Sequence, residues 1–233
     1  MDPTLPAHLN SGKATGFIPG EVIAQYELGS MRNFIYLILD PSTKTAAIVD
    51  PQKDLQPVAD LEANGYRLSA IILTHSHHDH VAGVPELVAK RPDLPVYVHQ
   101  ADAHRLKNVP AANIRFVNDG ETLKVGDLAI EAIHSPGHSP GEVCYRLTAP
   151  NTGQGFLLTG DTLFIRDCGR TDFPDSSNDD MFKTLQRLKG LPDDLVVLPG
   201  HHYAMETASV LGAEKKNSPP LLARTPDELL HLP

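Results

Sequence analysis

The sequence predicts an α/β fold in which two sheets carry their helices on the outside, within one domain. Three observations lead there. Short apolar runs rich in β-branched residues recur along most of the chain. Helical segments interleave with them in both halves, while the middle holds strands in unbroken succession. A chain of 233 residues, 41% of them hydrophobic, is long enough for one sizeable core and short for two. Interleaved strands and helices with a run of strands between them exclude a simple doubly wound sheet.

Residues 1–20 carry Pro, Gly, Ser and Asn without periodicity and are read as a flexible N-terminal arm; residues 21–233 form the single domain. "EVIAQYEL", "FIYLIL" and "AAIVD" open it as strands. "DLQPVADLEANGY" predicts a helix closed at Gly65, and "SAIILT" a short buried strand. "VAGVPELVAKR" follows as a helix, "LPVYVH" as a strand and "ADAHRL" as a short helix. The strand series is "NIRFV", "ETLKV", "LAIEAIHS", "GEVCYRLT" and "GQGFLLTG". "NDDMFKTLQRLKGLP" is a helix capped by Asn178 or Asp179, and "DLVVLPG" is the last strand. A helix near Glu206–Lys216 precedes a Pro-rich tail.

Composition narrows the partners. The formal charge is -9 and no basic block occurs, which argues against a nucleic-acid backbone. No run approaches the length of a membrane span, and the N-terminus lacks a signal-peptide pattern. Cys144 and Cys168 are expected to be buried free thiols, in a cytoplasmic protein. Edge strands and the tail are compatible with a homodimer without requiring one.

Chemistry concentrates where strands end. "SAIILT" runs into His75, His77, Asp79 and His80; "LAIEAI" into "HSPGHSPG" with His134 and His138; "GFLLTG" into Asp161; "DLVVLPG" into His201 and His202. Eight of the twelve histidines fall in these segments, so the clustering is not chance scatter. Imidazole and carboxylate are ligands for zinc, iron or manganese. His75 and His77 can face one side of the H-x-H-x-D-H run. Asp79 and His80, at the start of the next helix, can face the other wall. One loop then serves two adjacent metal positions; His138 completes one, His201 the other, and the two oxygens of Asp161 can bridge them. A lone loop histidine is ordinarily a solvated side chain, and His8, His99, His104 and His231 are read so. His134 is read as structural, and His78 and His202 as lining the pocket.

As an ordered set, "THSHHDH", "HSPGHSPG", "TGDTLF" and "LPGHHY" make the chain resemble the metallo-β-lactamase fold superfamily, from roughly Glu21 to Leu222. The resemblance implies a four-layer αββα sandwich with the site at one edge of the paired sheets. It implies His75, His77 and His138 as ligands of a first metal, Asp79, His80 and His201 of a second, and Asp161 as the bridge. Within the superfamily the chain resembles the short glyoxalase II-like hydroxyacylglutathione hydrolases and the persulfide dioxygenases. "GDTLFIRDCGRTDF" suits both. His78 stands where dioxygenases usually carry alanine, and "GHHY" where they carry "AHDY"; both departures point to a hydrolase.

The hydrolase resemblance implies two divalent ions, Zn and/or Fe, and attack on a thioester such as an S-acylglutathione by a metal-bound hydroxide. Asp79, His80 and Asp161 then act in catalysis, and Arg170, Tyr203 and His202 contact a glutathione-linked small molecule. Asp172 stands near the place of a glutathione-contacting tyrosine, which opens the substrate to other thioesters, carrier-protein adducts among them. The alternative is an iron-dependent glutathione persulfide dioxygenase with a single Fe on His75, His138 and Asp161. The residue inventory leaves both open; a complete ligand set argues against a non-catalytic protein.

Overall fold

The computed structural model describes residues 5–9 and 12–232, so residues 1–4, 10 and 11 of the expected arm and Pro233 lie outside the described residues. One six-stranded sheet is laid down in chain order: β1 (Ile23–Leu28), β2 (Asn33–Asp40), β3 (Thr45–Val49), β4 (Arg67–Ile72), β5 (Val96–Val98) and β6 (Ile114–Phe116). The second begins with β7 (Thr122–Val125), β8 (Leu128–His134), β9 (Val143–Thr148) and β10 (Gly155–Gly160). A small hairpin, β11 (Leu163–Phe164) and β12 (Asp167–Cys168), leaves it before β13 (Val196–Pro199) and β14 (Ser209–Val210) close its far edge. Helices α1 (Gln56–Ala63) and α2 (Val84–Lys90) cross over between parallel strands β3, β4 and β5, and α3 (Asn178–Leu188) between β10 and β13. Three short helices end the chain: α4 (Leu211–Asn217), α5 (Pro219–Leu222) and α6 (Pro226–Leu230).

Strand β2 shows why the layers stack. All eight of its residues are buried. Phe34, Tyr36 and Ile38 enter the core shared by the two sheets, while Ile35, Leu37 and Leu39 pack under α1 and α2. A strand alternates its side chains between faces, so an unbroken apolar run is a strand covered on both sides. In β10, Phe156 and Leu158 face the shared core and Leu157 faces the helices α3–α6. The result is a mixed αββα sandwich of four layers. Within the segment read as an arm, Leu9 is buried in the shared core and Gly16 bridges Gln25 of β1.

Several local readings need correction. Asp79 and His80 lie in a turn, and α2 starts only at Val84. Gly83 delays it: its N–H is bound to the Pro51 carbonyl, and a Cβ there would run into Gln52 backbone. The cap of α3 is Ser177, whose hydroxyl accepts the Asp180 N–H, not Asn178 or Asp179. The helix expected near Glu206–Lys216 is shorter, because Ser209 and Val210 are spent as edge strand β14 beside β13. "ADAHRL" forms only a single 3-10 turn, Ala103–Arg105.

Candidate metal centre

Five strand ends meet at one edge of the sandwich: Asp50 after β3, residues 74–80 after β4, residues 135–141 after β8, Asp161 after β10, and His201 after β13. Two glycines let them approach. Gly160 sits at φ +48, and a Cβ on it would strike Glu142 and Thr74. A Cβ on Gly200 would strike the Asp161 carboxylate. Both positions need a residue without a side chain.

The donor atoms gather in two triads. Those of His75, His77 and His138 lie within 4.8 Å of one another, as do those of Asp79, His80 and His201. Asp161 lies between. Its Oδ2 is 3.5 Å from His138 Nε2 and 3.3 Å from His201 Nε2, and its Oδ1 is 3.6 Å from His80 Nε2.

The far nitrogen of four imidazoles is fixed by a neighbour. His80 Nδ1–H donates to Asp50 at 3.0 Å, His138 Nδ1–H to the Arg170 carbonyl at 2.9 Å, and His201 Nδ1–H to the Met31 carbonyl at 2.9 Å. The Thr74 hydroxyl donates to Asp50, so it accepts from His75 Nδ1–H at 3.1 Å. Each ring thus turns its Nε2 inward, the arrangement that orients metal ligands. Asp50 also falls within donor range of His75 and His80. Its oxygens are already held by Thr74 and His80, so it orients ligands for both triads.

The residues fit a cation. His75 Nε2 and Asp161 Oδ1 are buried with no hydrogen-bond partner. His77 Nδ1 faces His138 Nε2 at 2.9 Å, and His80 Nε2 faces His201 Nε2 at 3.1 Å. At these separations the facing nitrogens need a shared proton or a cation between them. The set can hold one or two divalent ions.

Electrostatics agree. Burial, with His80 beside it, holds His75 well below the usual imidazole range. Burial, His138 and Arg105 push His77 down to about 4. Both are neutral at pH 7, the form that ligates. Burial would lower His80 too, but Asp161, Asp50 and Asp79 outweigh it and raise it to about 9. Burial would raise Asp161, yet His80 and His201 hold it well below the carboxylate range. The ionised Asp79 and Asp161 thus draw positive charge onto His80, a place that a bound cation would take over.

An open cavity of about 630 Å³ adjoins the donors. His77, Asp79, His138, Asp161 and His201 line it, whereas His75 and His80 lie beneath, fully buried. Tyr203 stacks on His201 at 4.7 Å and forms part of the wall. Arg170 stands at the rim, paired with Asp172. His78 is exposed at the mouth. His202 lies off the cavity: its Nδ1 meets Glu27 and Arg32, and its ring stacks on Phe34. His134 stacks on His99 at 4.1 Å, away from the donors.

Sequence reasoning missed the residues that hold the ligands. Asn33 Nδ2 donates to Asp79 at 2.8 Å. Glu142 is fully buried and accepts the Asp161 N–H at 2.8 Å. Asp102 accepts from Ser76 N–H, the Ser139 hydroxyl and Gly141 N–H, tying two ligand loops together. Only Asp50, the acid closing "AAIVD", carries a visible signal, a charge ending an apolar strand.

Comparison with known proteins settles the family. A family model described as "Metallo-beta-lactamase superfamily" matches residues 33–201. The chain belongs to that superfamily. It is 34% identical over 188 residues to a probable polyketide biosynthesis zinc-dependent hydrolase, BaeB, of Bacillus velezensis, covering 80% of each chain. It is 36% identical over 173 residues to a hydroxyacylglutathione hydrolase of Erwinia tasmaniensis. That match covers 74% of this chain but only 63% of the Erwinia protein, under two thirds of its length. The crystal structure of ETHE1 from Myxococcus xanthus superposes with a TM-score of 0.75 at 27% identity, covering 91% of this chain and 92% of that one. Fold, donors and relatives together make this a metal-dependent hydrolase or oxygenase of the superfamily. No helix among the described residues is long and apolar enough to cross a membrane.

Proposed function

We propose that this protein hydrolyses a thioester, such as an S-acylglutathione, at a centre of two divalent ions, zinc or iron. The observation that carries the reading is the pair of triads with Asp161 between them. The relatives described as a zinc-dependent hydrolase and a hydroxyacylglutathione hydrolase support it. His75, His77 and His138 would hold one ion and Asp79, His80 and His201 the other, with Asp161 within reach of both. Such ions supply a Lewis acid for the carbonyl and make a water nucleophilic near pH 7.

The chain's own residues do the rest. Asn33 pins one oxygen of Asp79, leaving the carboxylate aligned to receive a proton from the attacking water. His80, buried and tied to Asp50, keeps that acid beside the centre. Met31, Phe164 and Tyr203 offer an apolar wall for the acyl or thiol portion. Arg170 stands at the mouth, where a charged thiol carrier enters. His202, bonded to Glu27, supports the turn that presents His201 and Tyr203. Two unpaired thiols, Cys144 and Cys168, accord with a cytoplasmic setting.

One observation favours a second reading, an iron-dependent persulfide dioxygenase on His75, His138 and Asp161: the ETHE1 likeness spans nearly the whole of both chains. Metal content and oxygen dependence separate the two. The hydrolase reading expects two ions per chain and thiol release from an acylglutathione at equal rates with and without air. One iron per chain, with oxygen consumed only when glutathione persulfide is supplied, overturns it.

A further inference from the structure

The cavity beside the donors contains two arginines, and they are held differently. Arg170 is exposed and closes its fork on Asp172, at 2.9 and 2.7 Å. The Arg105 side chain is only 21% exposed. Its guanidinium rests on Ser76 Oγ and Asp102 Oδ1, both at 3.3 Å. These are long contacts. Asp102 is also committed elsewhere, to Ser76 N–H, Ser139 and Gly141. The close partner of Arg105 is Asp175, a rim residue whose side chain is 39% exposed.

We propose that Arg105 is the anion-receiving group of this pocket, and that a substrate carboxylate displaces Asp175 and takes its place on the guanidinium. The inference rests on the thioester-hydrolase reading and narrows its substrate to an anionic thioester. Asp175 shows that the exposed edge of the guanidinium accepts a carboxylate. A pair with one partner so exposed contributes little, so exchange costs little. The planar fork is built for such a partner. The Arg105 side chain is mostly buried, and Asp102 and Ser76 lie 3.3 Å from its other edge, so the group is largely positioned before ligand arrives. On a chain of net charge -9, an anion needs such a local cation to approach the centre.

The test uses the metal-loaded protein and two kinds of readout. Binding of S-methylglutathione, which carries both carboxylates but no acyl group, is followed by calorimetry. Turnover is compared between an acylglutathione and an uncharged N-acetylcysteamine thioester. Asp175→Asn removes the competitor and should tighten S-methylglutathione binding about threefold or more, whereas Arg105→Met should weaken it about tenfold or more. The KM for acylglutathione should move the same way in each variant, and the uncharged thioester should change little. Weaker binding in Asp175→Asn, or equal losses on both thioesters in Arg105→Met, overturns the proposal. Should Arg105→Met fail to fold, the Asp175→Asn result decides alone. If the unaltered protein cleaves neither thioester, the hydrolase reading falls, and the calorimetry still judges the anion site.

Discussion

Two buried aspartates sit at opposite ends of the sandwich, Asp40 and Asp161. Asp40 ends β2 with every nearby donor turned toward it: Ser42 N–H at 2.9 Å, its hydroxyl at 2.7 Å, the Thr43 hydroxyl at 2.7 Å and Asp127 N–H at 2.7 Å. Asp161 ends β10 with one buried oxygen that no hydrogen bond reaches, and His75 Nε2 in the same centre is equally bare. The first end satisfies its polar atoms internally and gains stability. The second leaves them open and requires a guest. Burial alone does not mark a site; unsatisfied burial does.

The largest expected effect breaks the guest end. Asp161→Ala should abolish turnover and sharply lower metal retention, because the carboxylate both offsets metal charge and fixes geometry. Asp161→Asn keeps the shape without the anion and should also lose metal. Elemental analysis and activity check both variants; normal values in either would dismantle the site. Asp40→Ala should leave metal content intact.

The second prediction concerns metal removal. Stripping the ions with a chelator should lower the melting temperature of the unaltered protein, and returning zinc should restore it, since a ligand bound only by the folded state stabilises it. Asp161→Ala should show little of this response. A melting temperature indifferent to chelator would mean that the buried donors satisfy one another without an ion.

The third tests the satisfied end. Asp40→Asn keeps an acceptor but forfeits part of a four-donor cage and should cost roughly 2–4 kcal/mol of stability at pH 7. The pH dependence has a definite sign. Burial would raise the Asp40 pKa, but the Asp127 N–H, Thr43 and Ser42 bonds outweigh it and hold it below the usual range. A depressed carboxylate stabilises the fold above its unfolded pKa of about 4, and that contribution fades as pH falls through the folded value. The gap between the two proteins should therefore be full near neutrality and shrink in acid. Urea titrations across pH would show it; a constant gap would assign the loss to packing.

The same contrast explains what could be read in the sequence. Strand β2 is legible because its six-residue apolar run, Phe34–Leu39, reads as a strand covered on both faces. The metal donors are legible because their chemistry lies in contiguous motifs, and the structure brings those donor atoms together. The residues that hold them are not. Asp102 reaches partners 26, 37 and 39 positions away, so no local window contains its role. Edge strand β14 is two residues long and owes its existence to β13. Ser177 won the cap of α3 because its extended backbone lets the hydroxyl reach the Asp180 N–H, a choice among adjacent polar residues that spacing alone does not make.

Arg170 gives the smallest expected effect and the sharpest use of the contrast, because it is a satisfied group at the open end. The resemblance carried by "CGRTDF" made it the expected glutathione contact. Yet both arms of its fork are occupied by Asp172, two residues along an exposed loop. Solvent screens that pair, so removing it should cost the fold almost nothing. Arg170 would have to release Asp172 just as Arg105 releases Asp175, but it would then hold the ligand in water, where a charge-assisted bond is weak. Arg105 instead is mostly buried, with Asp102 and Ser76 beside its inner edge. Arg170→Ala is therefore expected to raise KM for an acylglutathione only about two- to threefold, within the range of exposed ion pairs. Metal content and melting temperature should not move. Steady-state kinetics beside Arg105→Met checks the order. A tenfold rise for Arg170→Ala, with Arg105→Met the milder of the two, would show that the exposed arginine is the one that grips substrate and that prior anchoring counts for little here.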